Sequence, residues 1–404
     1  MSARNVVTKT EWSPADLYRR LELGEQPFVL DVRNRDEFAN WKIEGRRELP
    51  TVNLPYFEIL EESDGQDLSP EAWGRLVRQR LDGQLPADQP VLVVCAKGGT
   101  SALVAEGLRT QGFDAVNLEG GTKAWGDHYE IRPVLESPQL TIHQVSRPAR
   151  GCLSYVVASD GQAVVIDALR HVERYEEFAR ARGLRITLVL DTHAHADHIS
   201  GGRALADRVG APYYLHPYDA IHPIDVLPAT LSYRFLGDGQ EFTIGSSRLQ
   251  ALHIPGHTLG NVAYLLDGRF LFSGDSIFVE SIARPDLGGR ADTWAPLHHR
   301  SLGRLLGLPD STRVLPGHFS RLSEAGADGL FAATLGDLRR RNEGLRVAAG
   351  SETEFVRYIL ASLPVFPPQY VDIKRVNVGL TVPDEERSSE LELGKNVCAL
   401  AQAH

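Results

Sequence analysis

Short apolar runs alternate with amphipathic segments along the first third of the chain. Ser69 followed by Pro70 is typical of a helix start, because serine caps the first turn and proline fits its first position. Strands that alternate with helices predict a largely parallel, doubly wound α/β layer, in which ligands bind beyond the carboxyl ends of the strands. The predicted strands are 28–32, 91–95 and 115–118, and the predicted helices are 70–81 and 100–110.

Strands dominate the second part of the chain, from residue 138 to 350. Two strand-rich halves with helices between them predict two stacked sheets that are covered by helices on the outside. The predicted strands are 140–145, 154–158, 163–166, 186–190, 212–216, 248–254, 262–266 and 269–273, and the predicted helices are 173–182, 204–209, 293–306 and 324–341.

The chain therefore divides into three parts: a first domain at 1–137, a second at 138–350 and a C-terminal extension at 351–404. The extension contains two adjacent prolines, Pro367 and Pro368, which impose extended backbone. We expect this extension to pack as a tail across the second domain.

Composition excludes several classes of protein. A chain of 404 residues is too long for one core. A net charge of −10 argues against a nucleic-acid-binding surface, which needs a clustered positive patch. No apolar run approaches the roughly 20 residues that span a bilayer, so no membrane insertion is expected.

The segment Met1–Trp12 lacks the apolar core of a signal peptide, and the number of cysteines, three, is odd. Together these two observations predict reduced thiols and a cytoplasmic location.

The densest cluster of metal-binding side chains follows the apolar run 186–190. His193, His195, Asp197 and His198 lie within six residues, just before a Ser-Gly-Gly turn. Imidazoles two residues apart, followed by a carboxylate and another imidazole, can converge on one or two cations. This spacing predicts a metal site at the end of a strand.

Three more candidate ligands occur downstream, each directly after an apolar strand. They are His257 in His-Ile-Pro-Gly-His, Asp275 in Ser-Gly-Asp and His318 in Leu-Pro-Gly-His. Their repeated placement at strand ends predicts that they share a site with the first cluster. The remaining histidines of this region lack that context and are predicted not to be ligands; they are His216, His222, His253, His298 and His299.

The loop Cys95–Ser101 has a chemistry of its own. A cysteine ends a predicted buried strand, and a glycine-containing loop leads from it into a helix. Such a loop can direct backbone N–H groups and the positive end of a helix dipole at the sulfur, which stabilises a thiolate or a persulfide anion. Lys97 adds a cation for an anionic sulfur donor. The alternative is a buried structural cysteine.

The first domain resembles the rhodanese family of sulfurtransferases over most of residues 12 to 127. The similar motifs are Leu30–Arg33 with Asp36–Phe38, the loop Cys95–Ser101, and Gly112–Trp125. The resemblance implies a rhodanese-like α/β domain in which Cys95 carries sulfane sulfur.

The second domain resembles the metallo-β-lactamase superfamily over residues 139 to 345. Within it the chain is most similar to persulfide dioxygenases, with glyoxalase II as a relative, on the basis of Ile282–Leu287 and the rhodanese fusion. The resemblance implies an αββα sandwich, so that the expected fold class is α/β and α+β. It also implies one Fe(II) per chain on His193, His257 and Asp275, a facial triad with positions open for sulfur and dioxygen.

The same resemblance also implies roles for residues other than the three iron ligands. His195, Asp197, His198 and His318 would surround the iron or form a vacant second site. Arg284 would contact the substrate or fix its loop. Phe319-Ser320 stands where glutathione-using members often have Asp-Tyr, so the thiol carrier stays open.

The leading hypothesis is an enzyme of sulfide detoxification that oxidises a low-molecular-weight thiol persulfide with dioxygen to sulfite, while Cys95 moves sulfane sulfur to form thiosulfate. Two alternatives remain. One is a Zn(II)-dependent thioester hydrolase of glyoxalase II type, since all the residues of a two-metal site are present. The other treats the rhodanese-like domain as a binding module for persulfidated proteins. A homodimer or homotetramer is expected, with no nucleic-acid or membrane partner.

Overall fold

The computed structural model describes residues 9–62 and 69–400. Met1–Thr8, in the segment where no signal peptide is predicted, lie outside the described residues. None of the helices in the described ranges has both the length and the apolar character needed to cross a membrane.

The first domain is built on a parallel sheet of strand order β1-β5-β4-β2-β3. Every residue of β2, β4 and β5 is buried, as expected for parallel strands covered on both faces. The strands are β1 Glu11–Trp12, β2 Phe28–Asp31, β3 Thr51–Asn53, β4 Val91–Val94 and β5 Ala115–Leu118. The helices are α1 Pro14–Glu22, α2 Arg35–Asn40, α3 Tyr56–Glu62, α4 Pro70–Arg80, α5 Gly99–Thr110 and α6 Gly121–Gly126.

The second part of the chain contains two further sheets. The first has the order β12-β11-β10-β9-β8-β7-β6 and the second has the order β13-β14-β15-β16-β17-β18. The strands of the first are β6 Glu130–Glu136, β7 Thr141–Arg147, β8 Cys152–Ser159, β9 Gln162–Ile166, β10 Arg185–Leu190, β11 Tyr213–Leu215 and β12 Arg234–Phe235. Those of the second are β13 Glu241–Ile244, β14 Ser247–His253, β15 Val262–Leu266, β16 Phe270–Gly274, β17 Arg313–Pro316 and β18 Ala333–Thr334.

These two sheets stack face to face with helices outside. One apolar core joins their inner faces, with Tyr155 and Ile166 on one sheet and Tyr264 and Phe272 on the other. A second core lies under α7 and α8, and a third lies under α9 to α12. The helices of this part are α7 Glu173–Ala181, α8 Gly202–Val209, α9 Ala291–Leu306, α10 Leu335–Arg341, α11 Glu343–Ala348, α12 Glu352–Ala361, α13 Gln369–Asn377 and α14 Glu385–Leu391.

This architecture confirms the predicted fold class, a rhodanese-like α/β domain followed by an αββα sandwich. The domain boundaries stay predictions, although β6, which precedes the boundary at residue 137, pairs antiparallel with β7. The helix predicted over 324–341 is wrong in its first half. Thr334 caps α10 by accepting a hydrogen bond from the Asp337 N–H, and the segment before it holds the short strand β18.

The C-terminal extension differs from the extended tail that its prolines suggested. It forms α12, α13 and α14, and the proline segment is only the connection between α12 and α13. α12 packs beside α9 in the outer layer of the sandwich, where Phe355 and Ile359 are fully buried. The extension therefore contributes to the core as well as covering the domain.

Candidate metal centre and cysteine loop

The densest predicted ligand cluster lies in the loop between β10 and α8. Asp191 anchors its start, because one carboxylate oxygen accepts hydrogen bonds from Ser200 Oγ at 2.7 Å and from the Tyr213 hydroxyl at 2.8 Å. Burial raises the pKa of Asp191 to about 6, against the opposing effect of His195. Ser200, near the end of the loop, therefore binds the side chain of the residue at which the loop begins.

Three of the predicted ligands converge on one point. The Asp275 Oδ2 atom lies 3.3 Å from His257 Nε2 and 3.9 Å from His193 Nε2, and all three side chains are inaccessible to solvent. None of these atoms has a hydrogen-bond partner among the described residues. Ligand atoms about 2.1 Å from a metal lie roughly 3–3.4 Å apart in octahedral or tetrahedral arrangements, so the spacing is close to what a divalent ion requires.

Hydrogen bonds fix the orientation of both imidazoles. His257 Nδ1 donates to the carbonyl oxygen of Arg284 at 2.7 Å, which leaves Nε2 with its lone pair. His193 Nδ1 lies 2.9 Å from Thr192 Oγ1, and that hydroxyl donates to Asp167 Oδ2 at 3.0 Å. Partners of this kind set the tautomer and the basicity of a metal ligand. Asp167, directly after β9, was not among the predicted site residues.

Gly274 allows Asp275 to reach this point. Its φ is +48°, in the left-handed region, and an added Cβ would lie 2.7 Å from the Thr192 side chain. Glycine is therefore required for β16 to approach the ligand loop so closely.

His195 does not join the three-ligand cluster. Its Nε2 lies 3.3 Å from Asp167 Oδ1, and its ring groups with Asp167 and Asp191. Neither ring nitrogen of His195 makes a hydrogen bond within the described residues, so its contact with Asp167 is one of proximity.

The remaining predicted ligands form a second cluster with Cys152, in which the ligand atoms all lie within 4.8 Å of one another. His318 lies between two carboxylates, with Nδ1 2.6 Å from Asp275 Oδ1 and Nε2 2.8 Å from Asp197 Oδ2. His198 Nδ1 lies 3.2 Å from Asp197 Oδ1. Burial opposes protonation of both imidazoles, but the carboxylates outweigh it; they raise the pKa of His198 to about 10 and that of His318 well above its usual range.

Arg284 is occupied by contacts within the chain. Its guanidinium forms a two-point ion pair with Asp286, at 2.6 and 2.7 Å, and donates to the carbonyls of Pro364, Val365 and Val397. Its side chain is fully buried. These contacts fit the loop-fixing role of Arg284, since its carbonyl also orients His257.

The C-terminal extension holds the ligand loop from outside. Asn377 donates to the carbonyls of His195 and His198 at 2.9 and 2.8 Å, and its Oδ1 accepts from the Ser200 N–H. Lys374 Nζ donates to the Ala194 carbonyl at 2.8 Å. Cys398 is buried against Asp275 and His318. The metal centre therefore depends on residues some 180 positions away along the chain.

The cysteine loop has the predicted geometry. Cys95 is the first residue after β4, and its Sγ accepts hydrogen bonds from the Gly98 N–H at 3.1 Å and the Ser101 N–H at 3.5 Å. Ser101 Oγ lies 3.1 Å from the sulfur and 2.7 Å from Asn117 Oδ1. The single hydroxyl hydrogen of Ser101 can be donated either to the Cys95 sulfur or to Asn117 Oδ1. Ser101 can therefore donate to a Cys95 thiolate, or accept a hydrogen bond from a Cys95 thiol. Lys97 is exposed in this loop.

Gly121 lies directly against the cysteine loop. Gly121 at the start of α6 has φ +63°, and an added Cβ would lie 2.3 Å from the Cys95 carbonyl oxygen. The Thr122 N–H donates to that carbonyl at 2.9 Å. Gly121, which lies in the rhodanese-like motif Gly112–Trp125, thus allows the chain to pass close to the backbone of Cys95.

The histidines that were predicted not to be ligands take no part in the clusters of the described residues. His216 and His253 stack on each other with ring centroids 4.1 Å apart. His298 is fully buried, and burial lowers its pKa to about 3. His222 bonds to the Val371 carbonyl.

Comparison with known proteins agrees with this geometry. Residues 147–318 match the metallo-beta-lactamase superfamily, and residues 13–128 match the rhodanese-like domain. The "Beta-lactamase hydrolase-like protein" of Xylella fastidiosa is 33% identical over 92% of this chain and 95% of its own length. The chain belongs to the metallo-beta-lactamase superfamily. It carries an N-terminal rhodanese-like domain.

Two further proteins are similar to a part of this chain. The "Hydroxyacylglutathione hydrolase" of Methylococcus capsulatus is 33% identical over 54% of this chain and 82% of its own length. A crystal structure of a metallo-beta-lactamase from Staphylococcus aureus is 30% identical, with a TM-score of 0.52 over 60% of this chain and 72% of that one. The superfamily and the cluster of His193, His257 and Asp275 together imply that the chain binds a divalent metal.

Four residues around the two ligand clusters were not predicted, for different reasons. Asp167 follows an apolar strand, the same signal that identified Asp275, and could have been found. Cys152, Lys374 and Asn377 carry no local signal, because only the packing of the extension and of β8 brings them to the ligand loop.

Proposed function

We propose that this enzyme is an iron-dependent persulfide dioxygenase with an attached sulfurtransferase. The observation that carries the proposal is the choice of ligands: two imidazole nitrogens and one carboxylate oxygen face one point, while His195 groups with Asp167 and Asp191. Two histidines and one carboxylate with open positions are typical of non-haem iron oxygenases.

Iron(II) held by His193, His257 and Asp275 would supply open coordination positions for a sulfur ligand and dioxygen. The net reaction is RSSH + O2 + H2O → RSH + SO3²⁻ + 2 H⁺, in which the terminal sulfur is oxidised and dioxygen is reduced. The chain contributes by presenting both Nε2 lone pairs, since the Nδ1 atoms bond to Thr192 and to the Arg284 carbonyl. His318 fixes the Asp275 carboxylate through its other oxygen.

The rhodanese-like domain would act on the same sulfur. A thiol persulfide transfers its terminal sulfur to the Cys95 thiolate and leaves as a thiol. Sulfite then attacks the outer sulfur of the Cys95 persulfide, a new S–S bond forms in thiosulfate, and the Cys95 thiolate departs. The N–H groups of Gly98 and Ser101 stabilise that thiolate. The partners of the enzyme would be a low-molecular-weight persulfide, dioxygen, sulfite and thiosulfate.

A zinc-dependent thioester hydrolase is the second candidate, and the cluster of Cys152, Asp197, His198 and His318 favours it. Those ligand atoms are close enough for a second ion, and a two-metal centre is one way to activate a hydrolytic water. The similarity to a relative named hydroxyacylglutathione hydrolase points the same way. Against it, the two ring nitrogens of His318 lie only 2.6 and 2.8 Å from carboxylate oxygens of Asp275 and Asp197, and His195 groups with Asp167 and Asp191.

Parallel assays on the full chain separate these two functions. We expect oxygen consumption with glutathione or cysteine persulfide, with sulfite and thiosulfate together equal to the dioxygen consumed, and no hydrolysis of S-lactoylglutathione. Thioester hydrolysis without persulfide-dependent oxygen consumption would assign the hydrolase function instead.

A further inference from the structure

A cavity of 260 Å³ lies against the loop that carries the proposed metal ligand His257. Thr258 and Leu259, which follow the ligand His257, form part of its wall, and Lys374 reaches from it to the carbonyl of Ala194, next to the ligand His193. The cavity is smaller than the roughly 300–1,000 Å³ of pockets for drug-sized ligands, which indicates a small occupant.

Lys374 is a buried cation without a counter-ion. Its residue is 4% exposed, its Nζ makes one hydrogen bond, to a carbonyl, and no carboxylate oxygen of the described residues lies within 4.0 Å of it. Burying an unpaired ammonium is costly, so such a group normally has an anionic partner. Two of its three donors are left for a ligand in the cavity.

The acidic residue that shares this cavity favours the charged form of Lys374 but forms no ion pair with it. Asp219 accepts three hydrogen bonds, from the Ala194 N–H, the Thr258 hydroxyl and the Gly260 N–H, at 2.7 to 2.8 Å. Its two oxygens therefore hold the ligand loops together. They are not directed at the ammonium, because no ion pair joins the two groups.

Arg290 brings a second cation to the mouth of the same cavity. Its side chain is exposed and makes no ion pair or hydrogen bond within the described ranges. The same cavity is lined by apolar side chains, among them Ile221, Leu259 and Trp294. Two cations and apolar side chains on one small cavity match a short molecule that carries two anionic groups.

We propose that this cavity binds a small thiol persulfide that carries a carboxylate, with Arg290 pairing with the carboxylate and Lys374 with the anionic sulfur. The inference rests on the proposed persulfide chemistry for the identity of the sulfur end. The persulfide of an amino acid fits this description, since it has one short carbon chain between a carboxylate and the sulfur.

Binding of unreactive analogues tests the carboxylate contact independently of catalysis. S-methylcysteine and S-methylcysteamine differ only by the carboxylate, and isothermal titration of the full chain should show tighter binding of the former. Arg290→Met should reduce that preference by about two- to fivefold, as for an exposed ion pair. The control is Arg185→Met, at the opposite end of β10 from the ligand loop. Equal binding of both analogues, or an unchanged preference in Arg290→Met, would overturn the inference.

The sulfur contact is tested by oxygen consumption with cysteine persulfide. Lys374→Met should lower kcat/KM about tenfold or more, mainly through KM, because a charge-assisted hydrogen bond is lost. Lys374→Arg should recover part of it, and equal iron content and thermal midpoint of each variant show that the fold is kept. A Lys374→Met variant with unchanged kcat/KM would contradict the assignment.

If the wild type oxidises no persulfide, the proposed function is wrong. The titration with the two analogues still shows whether the cavity binds a carboxylate.

Discussion

His195 Nε2 lies 3.3 Å from Asp167 Oδ1, so this imidazole lies beside the carboxylate that follows β9 and is not among the three converging atoms of His193, His257 and Asp275. The same carboxylate accepts from Thr192, which lies beside His193 Nδ1. Asp167 therefore lies beside both histidines of one motif, of which only His193 converges with His257 and Asp275.

This difference between the two histidines predicts different outcomes for two matched variants. His195→Gln should keep most of the bound iron, because His195 lies outside the group of three converging ligand atoms. His193→Gln should lose the iron, because one of three ligands is gone. Metal per chain, measured by mass spectrometry on protein of equal thermal stability, distinguishes them. Equal metal loss in both variants would mean that His195 is a ligand too.

Ser101 is predicted to support the sulfur-carrier function of Cys95. Ser101→Ala removes the hydroxyl 3.1 Å from Sγ and should lower the rate of sulfur transfer to cyanide about tenfold, since a hydrogen bond to an ionised sulfur is lost. Persulfide-dependent oxygen consumption should be unaffected. Thr100→Ala, one residue earlier in α5, is the control. A Ser101→Ala variant as active as the wild type would remove the hydroxyl from the mechanism.

The C-terminal extension is predicted to stabilise the ligand loop. Asn377→Ala removes three hydrogen bonds to that loop and leaves buried carbonyls without partners, which should cost about 2–4 kcal/mol in the free energy of unfolding and also weaken iron binding. Asn342→Ala is a matched control, because Asn342 also makes three buried hydrogen bonds, to Phe278, Ser281 and Leu345. It should destabilise the chain similarly and keep its iron affinity. Equal iron affinity in the two variants would contradict the role given to the extension.

The fold and the side chains that converge in the structure were predictable because both depend on local sequence patterns. A histidine or aspartate shortly after an apolar run identified His193, His257, Asp275 and His318. The ends of β14, β16 and β17 lie at one edge because these strands run in one direction in their sheet. The spacing did not show which of His193 and His195 converges with His257 and Asp275, because the two are equivalent in the motif. The helices of the extension were missed since two prolines dominate the pattern of a segment that they only connect.

Glu324 is predicted to make stability fall as pH rises. It is 7% exposed and accepts from the N–H groups of Ser320 and Arg321, and burial raises its pKa from 4.5 to about 7. The folded state then binds more protons than the unfolded state between these two values, so stability is full below pH 4.5 and falls as pH rises through 7.

Glu324→Gln tests this directly, since its amide oxygen can accept the same hydrogen bonds. The variant should be more stable than the wild type by about 1–3 kcal/mol at pH 8 and nearly equal to it at pH 5. Urea unfolding at both pH values measures the difference, with Glu177→Gln on the exposed face of α7 as the control. A gain that is the same at both pH values would show that the Glu324 carboxylate does not cause it.

The number and identity of the bound metal ions test the central claim most directly. The full chain, purified without added metal under anaerobic conditions, should contain one iron and no stoichiometric zinc per chain, held by His193, His257 and Asp275, and Asp275→Ala should abolish both iron binding and persulfide-dependent oxygen consumption. Two zinc ions per chain, with thioester hydrolysis and no oxygen consumption, would contradict the account.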